Sequence, residues 1–275
     1  MKWIKKNLVT LLLAIVALVG VGLIAYPTFS DYWNSFRQTR AVSGYNRALS
    51  KMDDDAFDDM FESAQAYNEK LGSIMWELSD EEIAEYESEL DVTSTGVMCY
   101  IDIPKLDLVL PIYHGVSEAV LQVAVGHIPG TSLPVGGEST HSVLSGHRGL
   151  PSAKLFSDLD KMTEGDTWTI NVLNRTLTYE VDQIRIVEPD DLSSLTITPG
   201  EDYCTLVTCT PYGINSHRLL VRGHRVANAQ GSAEVVADAI QVDPNQIAPL
   251  VAGPIVIILF LLIMLLPAKK KKKKS

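Results

Sequence analysis

The sequence predicts a mainly β protein: a closed barrel of seven or eight strands with short helices, preceded by an α-helical region and flanked by two transmembrane helices. Three observations carry this. From residue 96 onward, short alternating or apolar runs follow one another with polar breaks between them. An acidic stretch before them has apolar residues at three- and four-residue spacing. Near each end stands an apolar segment about as long as the roughly 20 residues a membrane-spanning helix needs.

Taken in order, the first apolar segment covers residues 8–26 and follows Lys2, Lys5 and Lys6. Positive flanks favour the cytoplasmic side, and no small-x-small cleavage site follows, so the segment reads as an uncleaved anchor rather than a signal peptide. Residues 31–92 form a helical region, with Tyr45, Leu49 and Met52, then Phe57, Phe61, Ala64 and Leu71, spaced along helical faces. The barrel domain spans residues 93–228. Its strands are expected at 98–103, 106–113, 141–145, 167–173, 177–187, 203–209 and 218–226, with helices at 119–125 and 154–159. About 130 residues are enough to enclose one core. Residues 229–246 read as a polar linker. Residues 247–275 hold the second apolar segment and six consecutive lysines, Lys269 to Lys274, which place the C-terminus in the cytoplasm and the middle of the chain outside. Pro254 and Gly253 inside that segment are tolerated in spanning helices.

The chain carries 23 Lys and Arg against 34 Asp and Glu. Three of the basic residues precede the first segment and six lie in the tail, so the part between faces 34 acidic residues with only 14 basic ones. Such a surface repels nucleic acid. The His and Cys positions lack the spacing of a metal-ligand set, so neither metal nor cofactor is expected. Three cysteines is an odd count. Cys204 and Cys209 are five apart and would point to opposite faces of one strand, which forbids a bridge. A Cys99–Cys204 pair is conceivable, with packing the commoner fate of such residues.

Chemistry concentrates at Cys209, which ends the run Thr205-Leu206-Val207-Thr208-Cys209. A turn-rich segment, Thr210-Pro211-Tyr212-Gly213-Ile214-Asn215, leads into a second β-like run containing Arg218. A hairpin of this kind sets Arg218 beside Cys209. The guanidinium would favour the thiolate and could bind an oxyanion formed at an attacked carbonyl. The proton-transfer partner is His147, where a strand-like segment breaks at Gly146. His114, His127, His141, His217 and His224 read as packing or surface residues, and Arg222 and Arg225 as solvent-facing. A lone cysteine in an apolar run is most often a small buried hydrophobe. The conjunction of three chemically matched residues at strand and loop edges favours catalysis.

The segment from Thr205 through Cys209 and Arg218 to Arg225 resembles the active-site segment of sortases, the cysteine transpeptidases of Gram-positive surfaces. The resemblance extends back through Gly96-Val-Met-Cys-Tyr-Ile-Asp-Ile-Pro-Lys105, Leu110-Pro-Ile-Tyr-His-Gly115, Gly126-His-Ile-Pro-Gly-Thr131 and Leu144 to Phe156, with its Leu-Ser-Gly-His-Arg-Gly-Leu-Pro phrase, covering roughly residues 96–226. It is nearest to class C, the pilus-assembling branch. The resemblance implies a sortase-type barrel, a Leu-Pro-x-Thr-Gly sorting signal attacked by Cys209, His147 as acid and base, Arg218 at the oxyanion, and a lysine of a second pilin as acceptor. Ser145 and Thr208 beside the catalytic residues, and Glu188 and Pro189 in the loop that cradles the signal in the family, are candidates for substrate contact. The rivals are a housekeeping sortase that uses a cell-wall amine, and a non-catalytic membrane-tethered assembly scaffold. Class C members usually carry an Asp-Pro-aromatic element over the thiol, and no such triplet occurs between residues 31 and 96. The nearest lid candidates are Trp76 and Phe57, so a weak or absent lid and a solvent-open Cys209 are expected.

Overall fold

The computed structural model describes residues 8–228, with residues 8–29 in one unit and 30–228 in another. The first is the opening part of a long helix, α1 (Leu8–Leu49), whose surface there is almost wholly apolar and exposed. It is the one helix among the described residues long and apolar enough to cross a membrane. The expected second segment, at 247–267, lies outside the described residues.

The second unit is built on eight strands, β1 (Val97–Ile103), β2 (Leu108–His114), β3 (Val125–His127), β4 (Thr140–Ser145), β5 (Thr167–Val172), β6 (Arg175–Val187), β7 (Asp202–Thr210) and β8 (His217–Val226). They close into a barrel in the order β1-β2-β3-β4-β7-β8-β6-β5. The two pairings β2–β3 and β4–β7 are parallel and the rest antiparallel. β5 and β6 show the alternation of a sheet with one covered face. β7 does not: residues 204–208 are buried without a break, because its two faces meet different apolar layers. Cys204 and Leu206 join the interior core, whereas Val207 belongs to a smaller outer cluster with Val143, Leu195 and Leu220.

The strand β3 was not legible from periodicity. Residues 119–125, expected as a helix, form only one helical turn, α4 (Glu118–Leu121), before Val125 enters the sheet. A three-residue strand buried at every position has no alternation to display. The expected helix at 154–159 is a 3₁₀ segment, Leu155–Lys161.

Barrel interior packing dictates one glycine in β8. Trp168 stacks on Tyr179 with ring centroids 6.1 Å apart, and a Cβ at Gly223 would lie 2.6 Å from Trp168 Cη2 and 3.0 Å from the Glu180 carbonyl oxygen.

The helical region is fastened to the barrel by buried polar groups. Near the end of α1, the Tyr45 hydroxyl accepts from the Leu173 amide at 2.9 Å. The helix α2 (Asp54–Leu71) starts at Asp53, whose carboxylate accepts from the Ala56 amide, and has two acidic residues in its first turn and Lys70 in its last, each matched to the helix dipole. Its Asn68 takes both backbone groups of Leu133, accepting at 2.7 Å and donating at 3.1 Å. The helix α3 (Asp80–Ser88) opens on a capping box between Ser79 and Glu82. Its buried Tyr86 hydroxyl lies 3.0 Å from His127 Nδ1 and accepts from the Gly115 amide.

Two expectations follow from this packing. Gly223→Ala should lower stability by about 1–3 kcal/mol through overpacking against Trp168, read as an earlier denaturant midpoint. His127 is wholly buried, with Nε2 2.9 Å from the Ser132 carbonyl oxygen, and burial pushes its imidazole down from 6.5 to about 4. The unfolded chain therefore binds a proton between those values that the folded chain refuses. Stability is whole above pH 6.5 and is lost as pH falls toward 4, by on the order of a few kcal/mol. Denaturation across that window should show the loss, and His127→Gln should flatten the slope.

Candidate active site

The hairpin of β7 and β8 places Cys209 directly opposite Arg218 in antiparallel register, and Arg218 in turn faces Val187 on β6. Directly opposed residues share one face of a sheet, so thiol and guanidinium project together on the outer side of the barrel, the side of Val207 and Leu220. Arg218 donates to the carbonyl oxygens of Asn215 and His217 at 3.3 and 3.1 Å, which steadies it at the base of the β7–β8 loop.

The three thiols differ sharply in environment. Cys99 and Cys204 are free and fully buried, and desolvation pushes both well above the ordinary thiol range, which keeps them neutral. Cys209 alone reaches solvent. It lies on the opposite face of β7 from Cys204, as five-residue spacing on a strand requires.

His147 reaches the same place through the parallel pairing of β4 with β7. Ser145 lies opposite Val207, and the next residue is tied at both backbone groups: the Gly146 amide donates to the Val207 carbonyl at 3.1 Å, and the Thr208 hydroxyl donates to the Gly146 carbonyl at 2.7 Å. His147 therefore emerges level with Cys209. Gly146 is required there because a Cβ would come within 2.7 Å of the Phe156 ring. Beyond His147 the loop is bolted on several sides. The Phe156 amide donates to the His147 carbonyl, the Gly149 amide donates to Ser157 Oγ, and Arg148 bridges Thr210 Oγ1 at 3.2 Å and Asp160 at 2.5 Å. The imidazole is partly exposed, with Nε2 3.8 Å from Glu118 Oε2.

Below Cys209, His147 and Arg218 runs an apolar floor of Val143, Val207 and Leu220, walled by Leu195 from residues 188–201 and by Ile74, Ile128 and Val187. His141 secures that loop, with Nδ1 2.8 Å from the Thr196 carbonyl oxygen and Nε2 2.7 Å from Thr205 Oγ1. Burial lowers its imidazole below the usual range and keeps it uncharged.

Of the residues singled out in the sequence, Cys209, His147 and Arg218 are brought together. Ser145 sits half-buried at the end of β4, two residues along from Val143 on the same face. Thr208 is buried on the interior face and spends its hydroxyl on Gly146, so it braces the His147 loop rather than lining the outer face. Glu188 and Pro189 are exposed just past β6, with Glu188 Oε1 3.2 Å from His217 Nε2. Phe57 packs into the interior core from α2 and is no lid. Trp76 is 44% exposed in the connection between α2 and α3, and it is Ile74 of that connection that touches the outer floor. Arg222 is not solvent-facing: it is half-buried and binds Asp182 at 3.0 and 2.8 Å while lying over the Tyr203 ring. Sequence reasoning missed Ile74, Arg148 and Glu118. The one usable signal was that Arg148 adjoins His147.

Residues 101–226 match the sortase domain family. Sortase C1 of Streptococcus agalactiae is 55% identical, with a TM-score of 0.68 over 69% of this chain and 100% of that one. Sortase C of Streptococcus pneumoniae is 46% identical, with a TM-score of 0.63 over 69% of this chain and 97% of that one. Sortase D of Bacillus subtilis is 31% identical over 129 residues, 46% of this chain and 62% of that protein. Overall fold and matched sequence agree. The chain belongs to the sortase family of cysteine transpeptidases, and its structural neighbours are class C sortases.

Proposed function

We propose that the protein is a pilus-assembling transpeptidase. Cys209 attacks the Thr–Gly carbonyl of a Leu-Pro-x-Thr-Gly type sorting signal and forms a thioester; the carbon–nitrogen bond breaks and His147 gives its proton to the leaving glycine amine. Arg218 stabilises the oxyanion of the tetrahedral adduct. A lysine amine of another pilin subunit then displaces the sulfur and leaves an isopeptide bond. The observation that carries this reading is the register: Cys209 opposite Arg218, with the backbone leading into His147 tied to the same strand end. The apolar floor of Val143, Val207 and Leu220 suits the Leu and Pro side chains of such a signal. The class C identity of the structural neighbours supports pilins as substrates, and S. pneumoniae sortase C is a protein described in terms of pilin substrate specificity. Sortases are membrane-associated in Gram-positive bacteria, and the exposed apolar start of α1 supports an N-terminal anchor with the barrel outside the cell. A second, C-terminal span completes the proposed topology.

With purified protein and a sorting-signal peptide, mass spectrometry should find a substrate-sized adduct on Cys209 and none in Cys209→Ala. His147→Ala and Arg218→Ala should each lower kcat/KM by roughly two to four orders of magnitude, the scale of a positioned acid–base group or oxyanion donor. An adduct on Cys99 or Cys204 would overturn the assignment. Transfer to a peptidoglycan-type amine in preference to a lysine peptide would replace pilus assembly with surface anchoring.

The connection of residues 72–79 is read as a weak cover. Ile74 rests on the floor the signal would use, while Cys209 stays partly exposed. Alkylation of Cys209 should proceed at nearly the same rate in Trp76→Ala as in the wild type. Ile74→Ala should raise kcat/KM for the peptide about fivefold, since an apolar contact of that size is worth about 1 kcal/mol. A large acceleration of alkylation in Trp76→Ala would show a closed lid.

A further inference from the structure

The acceptor must arrive as an ammonium ion and react as an amine. The geometry points to Glu118 and His147 as the site that captures a primary ammonium for the second half of the reaction. This rests on the acyl-transfer reading above and assigns the acceptor's entry. Glu118 begins the single helical turn α4, and one carboxylate oxygen is fixed by the Gln122 amide nitrogen at 2.5 Å. The other oxygen faces His147 Nε2 at 3.8 Å. The carboxylate is 73% exposed and the imidazole 28%, so the pair stands at the open edge of the site, within reach of an incoming lysine side chain. No lysine or arginine side chain lies within ion-pair distance of Glu118 among the described residues. An aimed carboxylate of that kind is a site for a cation of small radius.

After the glycine amine has left, His147 is neutral and Cys209 is acylated. The ammonium settles on Glu118, and His147 takes one of its protons. The freed nitrogen lone pair attacks the thioester carbon, forming the carbon–nitrogen bond. When the adduct collapses, the carbon–sulfur bond breaks and its electron pair returns to Cys209 as thiolate. The second proton of the former ammonium leaves through the exposed Glu118 carboxylate to solvent. His147 is left protonated for the next acylation.

The test uses the full-length protein in detergent with a sorting-signal peptide and two acceptors, water and Nα-acetyl-lysinamide. Glu118→Gln preserves size and the Gln122 contact while removing the charge. It should raise the apparent KM for the lysine amine about two- to fivefold, in line with a largely exposed ion pair to a small cation. Acyl-enzyme formation should fall by less than about threefold, and hydrolysis should gain at the expense of aminolysis. Glu118→Lys should depress aminolysis further. An unchanged amine KM in Glu118→Gln, or equal losses in acylation, hydrolysis and aminolysis, would overturn the proposal while leaving lysine transfer standing. A wild-type protein that only hydrolyses the peptide would overturn the lysine-acceptor reading and this site with it.

Discussion

Everything at the active end depends on β7 being paired on both sides, parallel to β4 and antiparallel to β8. One pairing delivers the histidine and the other the arginine, and the cysteine belongs to the strand between them. The antiparallel partner is close in sequence and joined by a six-residue loop. The parallel partner is not: the Thr208–Gly146 bond links residues 62 apart. Such a pairing repays its loop-closure entropy only when much else is already in place. Hence the dense bracing of the His147 loop by Thr208, Thr210, Phe156, Ser157 and Asp160. In the proposed reaction an imidazole misplaced by about 1 Å would cost about two orders of magnitude in rate, and backbone ties to the strand of Cys209 hold His147 more firmly than side-chain packing could.

The barrel also sorts its ionisable groups by face. Inside, Cys99, Cys204 and Tyr179 are pushed toward their neutral forms by desolvation, and His127 likewise. On the outer face, where β7 and β8 leave the covered region, Cys209, Arg218 and His147 remain in contact with water. Alternation along one strand is enough to put an inert thiol and an accessible one five residues apart. Asp202 shows what an interior carboxylate needs: burial pushes it up, and the Gly137 amide and the Tyr179 hydroxyl offset part of that cost.

The helical region is held by apolar packing and, within it, by a set of demanding buried polar contacts. Asn68 answers both backbone groups of Leu133, Tyr86 meets His127 and Gly115, and Tyr45 meets Leu173. Each occupies a buried barrel group that would otherwise go unsatisfied, so undocking costs more than the apolar area alone. Between the two docked helices α2 and α3, residues 72–79 are held to the barrel by the Met75 amide on the Gly130 carbonyl and by Ile74 on the outer floor. Gly130 leaves the room for this, since a Cβ would lie 1.8 Å from the Met75 oxygen. A segment fixed at both ends and lightly held in the middle can yield to a ligand without unfolding its neighbours.

The sequence by itself determined the β-barrel class, the strands with clear alternation, the apolar first segment, and the pairing of Cys209 with Arg218. Hairpin partners and periodic faces are local properties, and side-chain chemistry at a strand end can be read where it stands. Cys209, His147 and Arg218 stood out in the sequence because they differ from their surroundings in kind, and the barrel sets them at one strand end. Only the tertiary structure decided that β3 is a strand, that Thr208 braces a loop, that Phe57 is core, that Arg222 is paired, and that Ile74 rather than Trp76 lies on the outer floor. It also decided that Glu118 faces His147. Each of these depends on which face a residue shows to a partner far away in the chain, and that is set by the closure of the barrel, which no window of neighbouring residues contains.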